Sequence, residues 1–208
     1  MKRFTFVMSA ALATLMLAGC DLFSAASTSA TRPAFKNLNL SGQNKTHELG
    51  LPDVNGKVRQ LSEFRGKVTV VFFGFTQCPD VCPTTLGELA RLKKMLGPEG
   101  QKLQVVFITL DPERDTADLL RDYVSGFDSD FVALRGSEQQ IKRVAANFKV
   151  YYNKVPEQTD TSYTIDHTAG SYVIDQQGQL RLFVRYGSST QDLIDDLKLL
   201  LREGGFSN

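Results

Sequence analysis

Two cysteines, Cys78 and Cys82, are separated by three residues and follow a continuous apolar run from Val68 to Phe75. The third cysteine of the chain, Cys20, closes an amino-terminal segment with the features of a secretion signal, so this pair supplies the only thiols of the folded domain. Two thiols at a junction between a strand and a helix can form a disulfide, bind a soft metal ion, or alternate between the two states.

The position of the pair favours reactive sulfurs over a structural cross-link. If the following helix begins at Pro79 with Cys78 as its cap, both sulfurs lie in its first turn, where unpaired backbone N–H groups favour anions. This placement predicts a lowered thiol pKa and a thiolate available for attack or ligation. A structural disulfide across so short a loop would remove little entropy from the unfolded chain. A redox or metal-binding role therefore accounts for the pair better.

Histidine would supply a third metal ligand, and the chain contains two. His47 follows a polar segment and is expected to be a solvated surface residue. His167 comes directly before a predicted strand, and in a thioredoxin-like sheet the loop before that strand faces the first-turn cysteines; a structural histidine is the alternative. Two thiolates and one imidazole satisfy copper(I), whereas zinc prefers four ligands and an iron–sulfur cluster needs more cysteines.

Two carboxylates lie beside these residues in the sequence. Copper(II) would also be held if water or the carboxylate of Asp80 or Asp166 completed the ligand set. Asp166 directly precedes His167 and is expected to orient or polarise its imidazole from behind the metal ligands.

The elements that must position these side chains alternate between strand and helix. Both faces of the runs Val68–Phe75 and Leu103–Leu110 are apolar, which predicts central strands covered on both sides. Further signals are a helix cap at Asp115 or Thr116, a capping box at Ser137 and Gln140, a hairpin of Ser171–Asp175 with Leu180–Tyr186, and a terminal helix that stops at Gly204. This order predicts an α/β, thioredoxin-like three-layer fold with a mixed central sheet flanked by helices.

The segment from Lys149 to Asp166 shows no regular apolar period. It is too long for a simple connection, and long loops within compact domains are commonly functional. We therefore interpret this segment as an irregular loop and as a candidate for contact with a partner protein.

The amino terminus predicts export and lipid attachment. Residues 1–19 combine two basic residues with a short apolar stretch and small residues before Cys20, which is typical of a signal peptide. The end of this segment resembles the lipobox of bacterial lipoproteins, in which the cysteine is acylated. Residues 20–46 are interpreted as the lipidated end and a flexible tether, and residues 47–208 as the domain. Asp21 resembles the inner-membrane retention signal of enterobacterial lipoproteins.

The charge balance excludes a polyanion as the partner. Without residues 1–19 the chain contains 22 basic and 23 acidic residues, a formal charge of −1, and it has no long basic run. Such a surface does not predict binding to nucleic acid.

Three ordered blocks of sequence resemble the Sco/SenC family. They are Phe73–Leu86 (FGFTQCPDVCPTTL), Leu110–Thr116 (LDPERDT) and Tyr163–Ala169 (YTIDHTA). The resemblance covers about residues 47 to 203. It implies a thioredoxin-like, membrane-tethered copper protein that takes part in assembling the binuclear copper centre of cytochrome c oxidase.

The resemblance also assigns the site. The family's copper ligands correspond to Cys78, Cys82 and His167, and the two cysteines would form a disulfide when oxidised. The expected protein is a copper metallochaperone of the bacterial cell envelope, anchored through Cys20 and facing the periplasm. Its cargo would be Cu(I) or Cu(II). Its acceptor would be the copper-bearing oxidase subunit, or another copper or thiol protein. A thiol–disulfide oxidoreductase that keeps acceptor cysteines reduced is the alternative, although ordinary thioredoxins separate their cysteines by two residues.

Overall fold

The structure, a computed structural model, describes residues 34–42, 47–157 and 162–204. The predicted signal peptide, the lipidation site Cys20 and the first part of the expected tether lie outside these residues. No helix within the described ranges is both long and apolar enough to cross a membrane.

The described residues form ten strands and four α-helices. In chain order the strands are β1 (Leu38–Asn39), β2 (Leu51–Pro52), β3 (Val58–Arg59), β4 (Val68–Gly74), β5 (Leu103–Thr109), β6 (Val132–Leu134), β7 (Tyr152–Pro156), β8 (Tyr163–His167), β9 (Gly170–Ile174) and β10 (Leu180–Arg185). The helices are α1 (Val81–Met95), α2 (Ala117–Ser125), α3 (Glu138–Asn147) and α4 (Thr190–Glu203), with short 3-10 helices at Leu61–Phe64 and Gly97–Lys102.

Six strands form a mixed sheet in the order β1-β10-β9-β4-β5-β6. Strands β4, β5 and β6 are parallel because α1 and α2 carry the chain back between them, whereas β9 and β10 form the predicted antiparallel hairpin. Strand β4 pairs with β5 on one side and with β9 on the other. The predicted mixed central sheet is confirmed.

Helices cover both faces of this sheet. Along β4, Val70 and Phe72 point towards a core that includes residues of α1, α2 and α4. Val71 and Phe73 point the other way, into a second core that includes residues of α3. All seven residues of β4 are buried, which explains why its sequence is apolar without alternation.

Helix α1 begins two residues later than the sequence predicts. The N–H of Cys78 donates to the carbonyl of Phe75 at 3.3 Å, so the chain makes a turn after β4 before it becomes helical. Asp80 is the N-cap residue, and its φ of −140° and ψ of −66° lie outside the helical region. The prediction that Cys78 caps a helix starting at Pro79 was therefore wrong: Cys78 lies in the turn and Cys82 in the first turn of the helix.

The segment expected to be an irregular loop contains a β-hairpin instead. Strands β7 and β8 pair antiparallel from Tyr152 opposite His167 to Pro156 opposite Tyr163, in a two-stranded sheet separate from the main one. No residue of β7 is buried, and the consecutive residues Asn153 and Lys154 are both exposed, so the strand shows no apolar alternation in the sequence.

Part of the expected tether packs onto the domain. Strand β1 lies within residues 20–46, yet it pairs with β10 at the edge of the main sheet. The buried carboxylate of Asp196 in α4 accepts hydrogen bonds from the backbone N–H groups of Lys36 and Asn37 at 2.8 and 2.9 Å. The ordered domain therefore begins before residue 47, because a carboxylate distant in sequence fixes this segment.

Candidate metal centre

The candidate centre lies at the carboxyl end of β4, where the chain turns into α1. Cys82 is the second residue of α1 and is completely buried. Its sulfur packs directly over Gly74, the last residue of β4: a Cβ atom added at Gly74 would lie 2.7 Å from Cys82 Sγ and 2.9 Å from the ring of Phe107. The absent side chain of Gly74 thus creates the space that the sulfur occupies.

His167 faces this sulfur from the end of β8. The distance from Cys82 Sγ to His167 Nε2 is 4.0 Å. His167 Nδ1 lies 3.1 Å from the carbonyl oxygen of Thr168, and a carbonyl can only accept, so Nδ1 carries the proton. The lone pair is then on Nε2, the nitrogen that points towards Cys82. The backbone of Thr168 therefore selects the tautomer that metal ligation requires.

The imidazole is held in an apolar environment. The rings of Phe72 and Phe75 approach it with centroid distances of 6.5 and 6.1 Å. Burial lowers the pKa of His167 below 6.5, while the bond to Thr168 and the charge of Asp166 act in the opposite direction. His167 is therefore neutral near pH 7. Asp166 is exposed on the other face of β8, so it acts on His167 through its charge, and the predicted orienting contact is made by Thr168 instead.

The pKa of the Cys82 thiol is raised, contrary to the sequence-based expectation. Burial is the largest cause, and the adjacent Cys78 acts in the same direction. Cys82 is thus a neutral thiol in the metal-free protein, and its S–H can donate to His167 Nε2.

Cys78 is half-buried and lies closer to solvent. Its neighbours Gln77, Pro79 and Asp80 are exposed, and its sulfur accepts the backbone N–H of Cys82 at 3.5 Å. Both cysteines are free thiols. Within the described residues, no three His, Cys, Asp or Glu side chains are already arranged to hold a metal ion. Cys82 and His167 face each other in this arrangement, and a site with Cys78 as a third ligand would require a reorientation of Cys78.

A buried carboxylate anchors the turn that carries Cys78. Asp115 accepts hydrogen bonds from the hydroxyl of Thr76 at 2.6 Å and from its N–H at 3.2 Å, and it also binds the hydroxyl of Thr109 at the end of β5. Burial raises the pKa of Asp115 even though these bonds favour its charged form. The sequence suggested Asp115 or Thr116 as a helix cap; Thr116 is the cap of α2, and Asp115 holds the cysteine turn against the sheet.

A further polar group lies unpaired beside the sulfurs. The hydroxyl of Tyr123 in α2 is buried and has no hydrogen-bond partner among the described residues. Its ring contacts Phe107, which also borders the space above Gly74. The pKa of Tyr123 is raised, first by burial and then by the neighbouring Cys82 and Cys78. A free O–H donor is thus present near both cysteines.

Comparison with known proteins places the chain in a family. The family model described as SCO1/SenC matches residues 39–202. The chain belongs to the SCO1/SenC family. A SCO2-like protein of Rickettsia felis is 38% identical over 149 residues, which are 71% of this chain and 73% of that protein.

Solved structures of family members share the fold. ScoI of Bradyrhizobium japonicum, solved with copper bound, is 37% identical and superimposes with a TM-score of 0.68 over 76% of this chain and 99% of its own. A SCO1/SenC family lipoprotein of Bacillus anthracis is 27% identical, with a TM-score of 0.66 over 80% of this chain and 99% of its own. These likenesses confirm the predicted thioredoxin-like class and the resemblance found in the sequence.

The second histidine is not a surface residue. His47 is buried, and its ring packs on Phe148 at a centroid distance of 4.9 Å. The prediction of a solvated residue was wrong because the polar neighbours of His47 concealed its apolar contact. Phe148 belongs to the core on the α3 side of the sheet, whereas Cys82 belongs to the core on the other side.

Proposed function

We propose that this protein binds copper through Cys78, Cys82 and His167 and delivers it to the binuclear copper centre of cytochrome c oxidase. The observation that carries the proposal is the approach of Cys82 Sγ to His167 Nε2, 4.0 Å apart at a buried, largely apolar position. Thiolate sulfur and neutral imidazole are donors that suit Cu(I), and three of them complete its coordination. Membership of the SCO1/SenC family and the copper-bound relative from Bradyrhizobium support the same cargo.

The different exposure of the two sulfurs gives loading an order. Cys78 meets an arriving Cu(I) ion first. The ion then replaces the proton of Cys82 as a Cu–S bond forms, and that proton leaves to solvent. His167 needs no deprotonation because its Nε2 already carries a lone pair. The unpaired hydroxyl of Tyr123 is available to donate to a sulfur that has lost its proton, which would stabilise the loaded site.

Unloading follows from the same chemistry. Release by ligand exchange requires Cys78 to move back towards solvent with the ion. Oxidation of both thiols to a disulfide removes two of the three donors, so the ability to hold copper depends on the redox state of the cysteines. With a carboxylate or water as an added ligand, the site would also hold Cu(II).

The setting we propose is the bacterial cell envelope. Cys20 would carry the lipid, Asp21 would keep the protein at the inner membrane, and the domain would face the periplasm. The family lipoprotein of Bacillus anthracis supports this arrangement. The hairpin β7–β8 is the proposed contact for the acceptor: Tyr151 at its start is 70% exposed, and its carbonyl binds the N–H of Thr168 next to His167.

The three-ligand site predicts a specific effect of His167→Ala. Removing a partner behind a metal ligand typically weakens affinity 10- to 100-fold, so removing the ligand itself should raise the dissociation constant for Cu(I) by more than about 100-fold. The measurement is a titration of the reduced, soluble domain against a chromophoric Cu(I) competitor. His47→Gln is the matched control because it removes the other histidine and should leave the affinity unchanged. Equal affinities of His167→Ala and the unmodified protein would contradict the site.

A thiol–disulfide oxidoreductase is the second candidate, and the unequal exposure of the cysteines favours it as an activity of the same site. An accessible Cys78 would attack the disulfide of an acceptor, forming a mixed disulfide and releasing one acceptor thiol. The buried Cys82 would then attack Cys78, which releases the second acceptor thiol and leaves a Cys78–Cys82 disulfide.

Trapping separates the two roles. If exchange is the activity, Cys82→Ser should accumulate a mixed disulfide through Cys78, while Cys78→Ser should accumulate none because Cys82 is buried. A protein that acts only in copper transfer should accumulate no mixed disulfide in either variant, and both variants should lose Cu(I) affinity.

A further inference from the structure

A cluster of Asp111, Arg114 and Tyr163, here called the Arg114 clamp, joins the loop after β5 to the start of β8. The guanidinium of Arg114 forms an ion pair with Asp111 and donates from Nη1 to the carbonyl of Tyr163 at 2.8 Å. The hydroxyl of Tyr163 donates to the other carboxylate oxygen of Asp111 at 2.8 Å. The guanidinium also stacks on the Tyr163 ring, 3.7 Å from its centroid.

The clamp reaches His167 along the strand. Tyr163 and His167 are the first and last residues of β8, and a separation of four places both side chains on the same face. The rise of a strand puts them about 13 Å apart. Fixing Tyr163 therefore fixes the direction in which β8 presents His167 to Cys82.

A second contact runs through an aromatic ring. Arg114 lies 6.0 Å from the centroid of Phe75, and Phe75 meets His167 edge-on with a centroid distance of 6.1 Å. Phe75 is also the residue whose carbonyl receives the N–H of Cys78. One guanidinium thus contacts the ring beside the histidine and the strand that bears it.

The hairpin depends on such an anchor. Strands β7 and β8 form their own two-stranded sheet, and an isolated hairpin is at best marginally stable in water. At the His167 end the hairpin continues into β9. The N–H of Thr168 donates to the carbonyl of Tyr151, and the N–H of Tyr151 donates to the hydroxyl of Thr168. At the other end, the clamp supplies the buried contact.

Stability alone accounts poorly for the clamp. The Asp111 side chain is completely buried and that of Arg114 is 22% exposed, and desolvation offsets much of the attraction in such a pair. The Nη2 atom of Arg114 is also buried without a hydrogen-bond partner in the described ranges, which is unfavourable for the folded state. The arrangement is better suited to fixing a geometry than to maximising the free energy of unfolding.

We propose that Arg114 is a positioning residue for copper binding: it holds Tyr163 and Phe75 so that the hairpin directs His167 Nε2 at Cys82. This inference rests on the proposed function for its consequence in copper binding, but the positioning itself exists in the metal-free protein.

The test compares Arg114→Met, Arg114→Lys and Lys154→Met. Lys154 is the matched control because it lies over the same Tyr163 ring, 4.9 Å from its centroid, and pairs with Glu113 at the surface. Arg114→Met should raise the Cu(I) dissociation constant about tenfold or more and speed amide hydrogen exchange across β7 and β8. Arg114→Lys should recover only part of the affinity because it lacks the planar fork. Lys154→Met should stay within about twofold of the unmodified protein.

Two further measurements separate positioning from a general loss of stability. Leu201→Ala weakens the core at the opposite end of the sheet, so an equal loss of copper affinity in this variant would overturn the proposal by showing that general destabilisation suffices. The Phe75 ring contributes to the imidazole proton chemical shifts of His167 in the metal-free protein. These shifts should change in Arg114→Met and should remain unchanged in Lys154→Met.

The outcomes distinguish this inference from the proposed function. If the unmodified protein binds no Cu(I), the proposed function fails. The amide hydrogen exchange rates of β7 and β8 and the imidazole chemical shifts of His167 then still decide whether Arg114 has the positioning role. If Arg114→Met shows unchanged affinity, hydrogen exchange and shifts, the positioning role is refuted. Should Arg114→Met fail to fold, Tyr163→Phe, which removes the hydroxyl bonds to Asp111 and Glu113 and keeps the ring, must show the same changes in smaller degree or the proposal falls.

Discussion

The pKa of the Cys82 thiol is raised because the effect of burial exceeds the effect of the helix N-terminus. The field of a helix N-terminus is worth about 0.3–1 kcal/mol, less than one unit of pKa, whereas complete burial shifts a pKa by up to several units. Cys82 lies in the first turn of α1 but is completely buried, so its pKa rises. Proximity to a helix start is therefore not enough to predict a reactive thiolate when the sulfur is buried.

Gly74→Ala tests how strictly the sulfur is placed. The new Cβ would lie 2.7 Å from Cys82 Sγ, so the sulfur or the Phe107 ring must move. We expect the unfolding free energy to fall by about 1–3 kcal/mol, as for other overpacked cores, with weaker Cu(I) binding. Denaturant unfolding and competitor titration measure the two effects.

Gly87→Ala is the control for this substitution. Gly87 lies in the same helix, and its added Cβ would meet only Phe127 at 4.0 Å, so the helix should gain up to about 1 kcal/mol. Copper affinity in Gly87→Ala should not change. Tight, unaltered copper binding in Gly74→Ala would show that the sulfur position is not restricted by Gly74.

At the scale of single residues, the sequence identified the donors but not what places them. Cys78, Cys82 and His167 are rare residue types with informative positions, and the structure brings Cys82 and His167 together. Gly74 and Asp115 belong to the same blocks of sequence, but their roles depend on contacts across the fold. The glycine between Phe73 and Phe75, in an otherwise bulky buried run, was the available signal for close packing.

At the scale of elements, the pattern of apolar residues in the sequence predicted the strands and helices that bury a regular face. The runs that became β4 and β5 and the capping box of α3 were predicted correctly, and so was the hairpin of β9 and β10. The hairpin of β7 and β8 was missed because β7 has no buried residue and β8 has only one, so neither strand shows an apolar alternation. Strand β1 was missed because it is only two residues long and is fixed from a distant helix.

Asp196→Ala should release strand β1. Hydrogen bonds to a charged acceptor contribute about 1.5–3 kcal/mol, and the freed N–H groups of Lys36 and Asn37 can turn to water, so we expect a loss of about 1–3 kcal/mol. Amide exchange should accelerate at Lys36 and Asn37, with copper affinity unchanged. Asp195→Ala, which alters the exposed neighbour, is the control. Protected amides at both positions in Asp196→Ala would contradict this role of the carboxylate.

At the scale of the whole molecule, the raised pKa of Cys82 links stability to pH. Above its ordinary pKa of 9.0 the unfolded chain releases the thiol proton, while the folded protein retains it. This contribution to stability is therefore complete below pH 9 and is lost as the pH rises towards the folded-state pKa.

We accordingly expect the reduced, metal-free domain to lose up to about 1.4 kcal/mol of unfolding free energy per pH unit above pH 9 through this group. Denaturant unfolding at pH 8, 9 and 10 measures the slope. Cys82→Ala removes the titrating sulfur and should reduce the slope relative to the unmodified protein. Identical slopes in the two proteins would show that Cys82 does not hold its proton more tightly when folded.

The main sheet ends in two short strands, β1 with two residues and β6 with three. Short edges offer few free N–H and C=O groups for an incoming strand, and they are a common protection against self-association through sheet edges. A partner that docked by extending this sheet would gain few backbone hydrogen bonds.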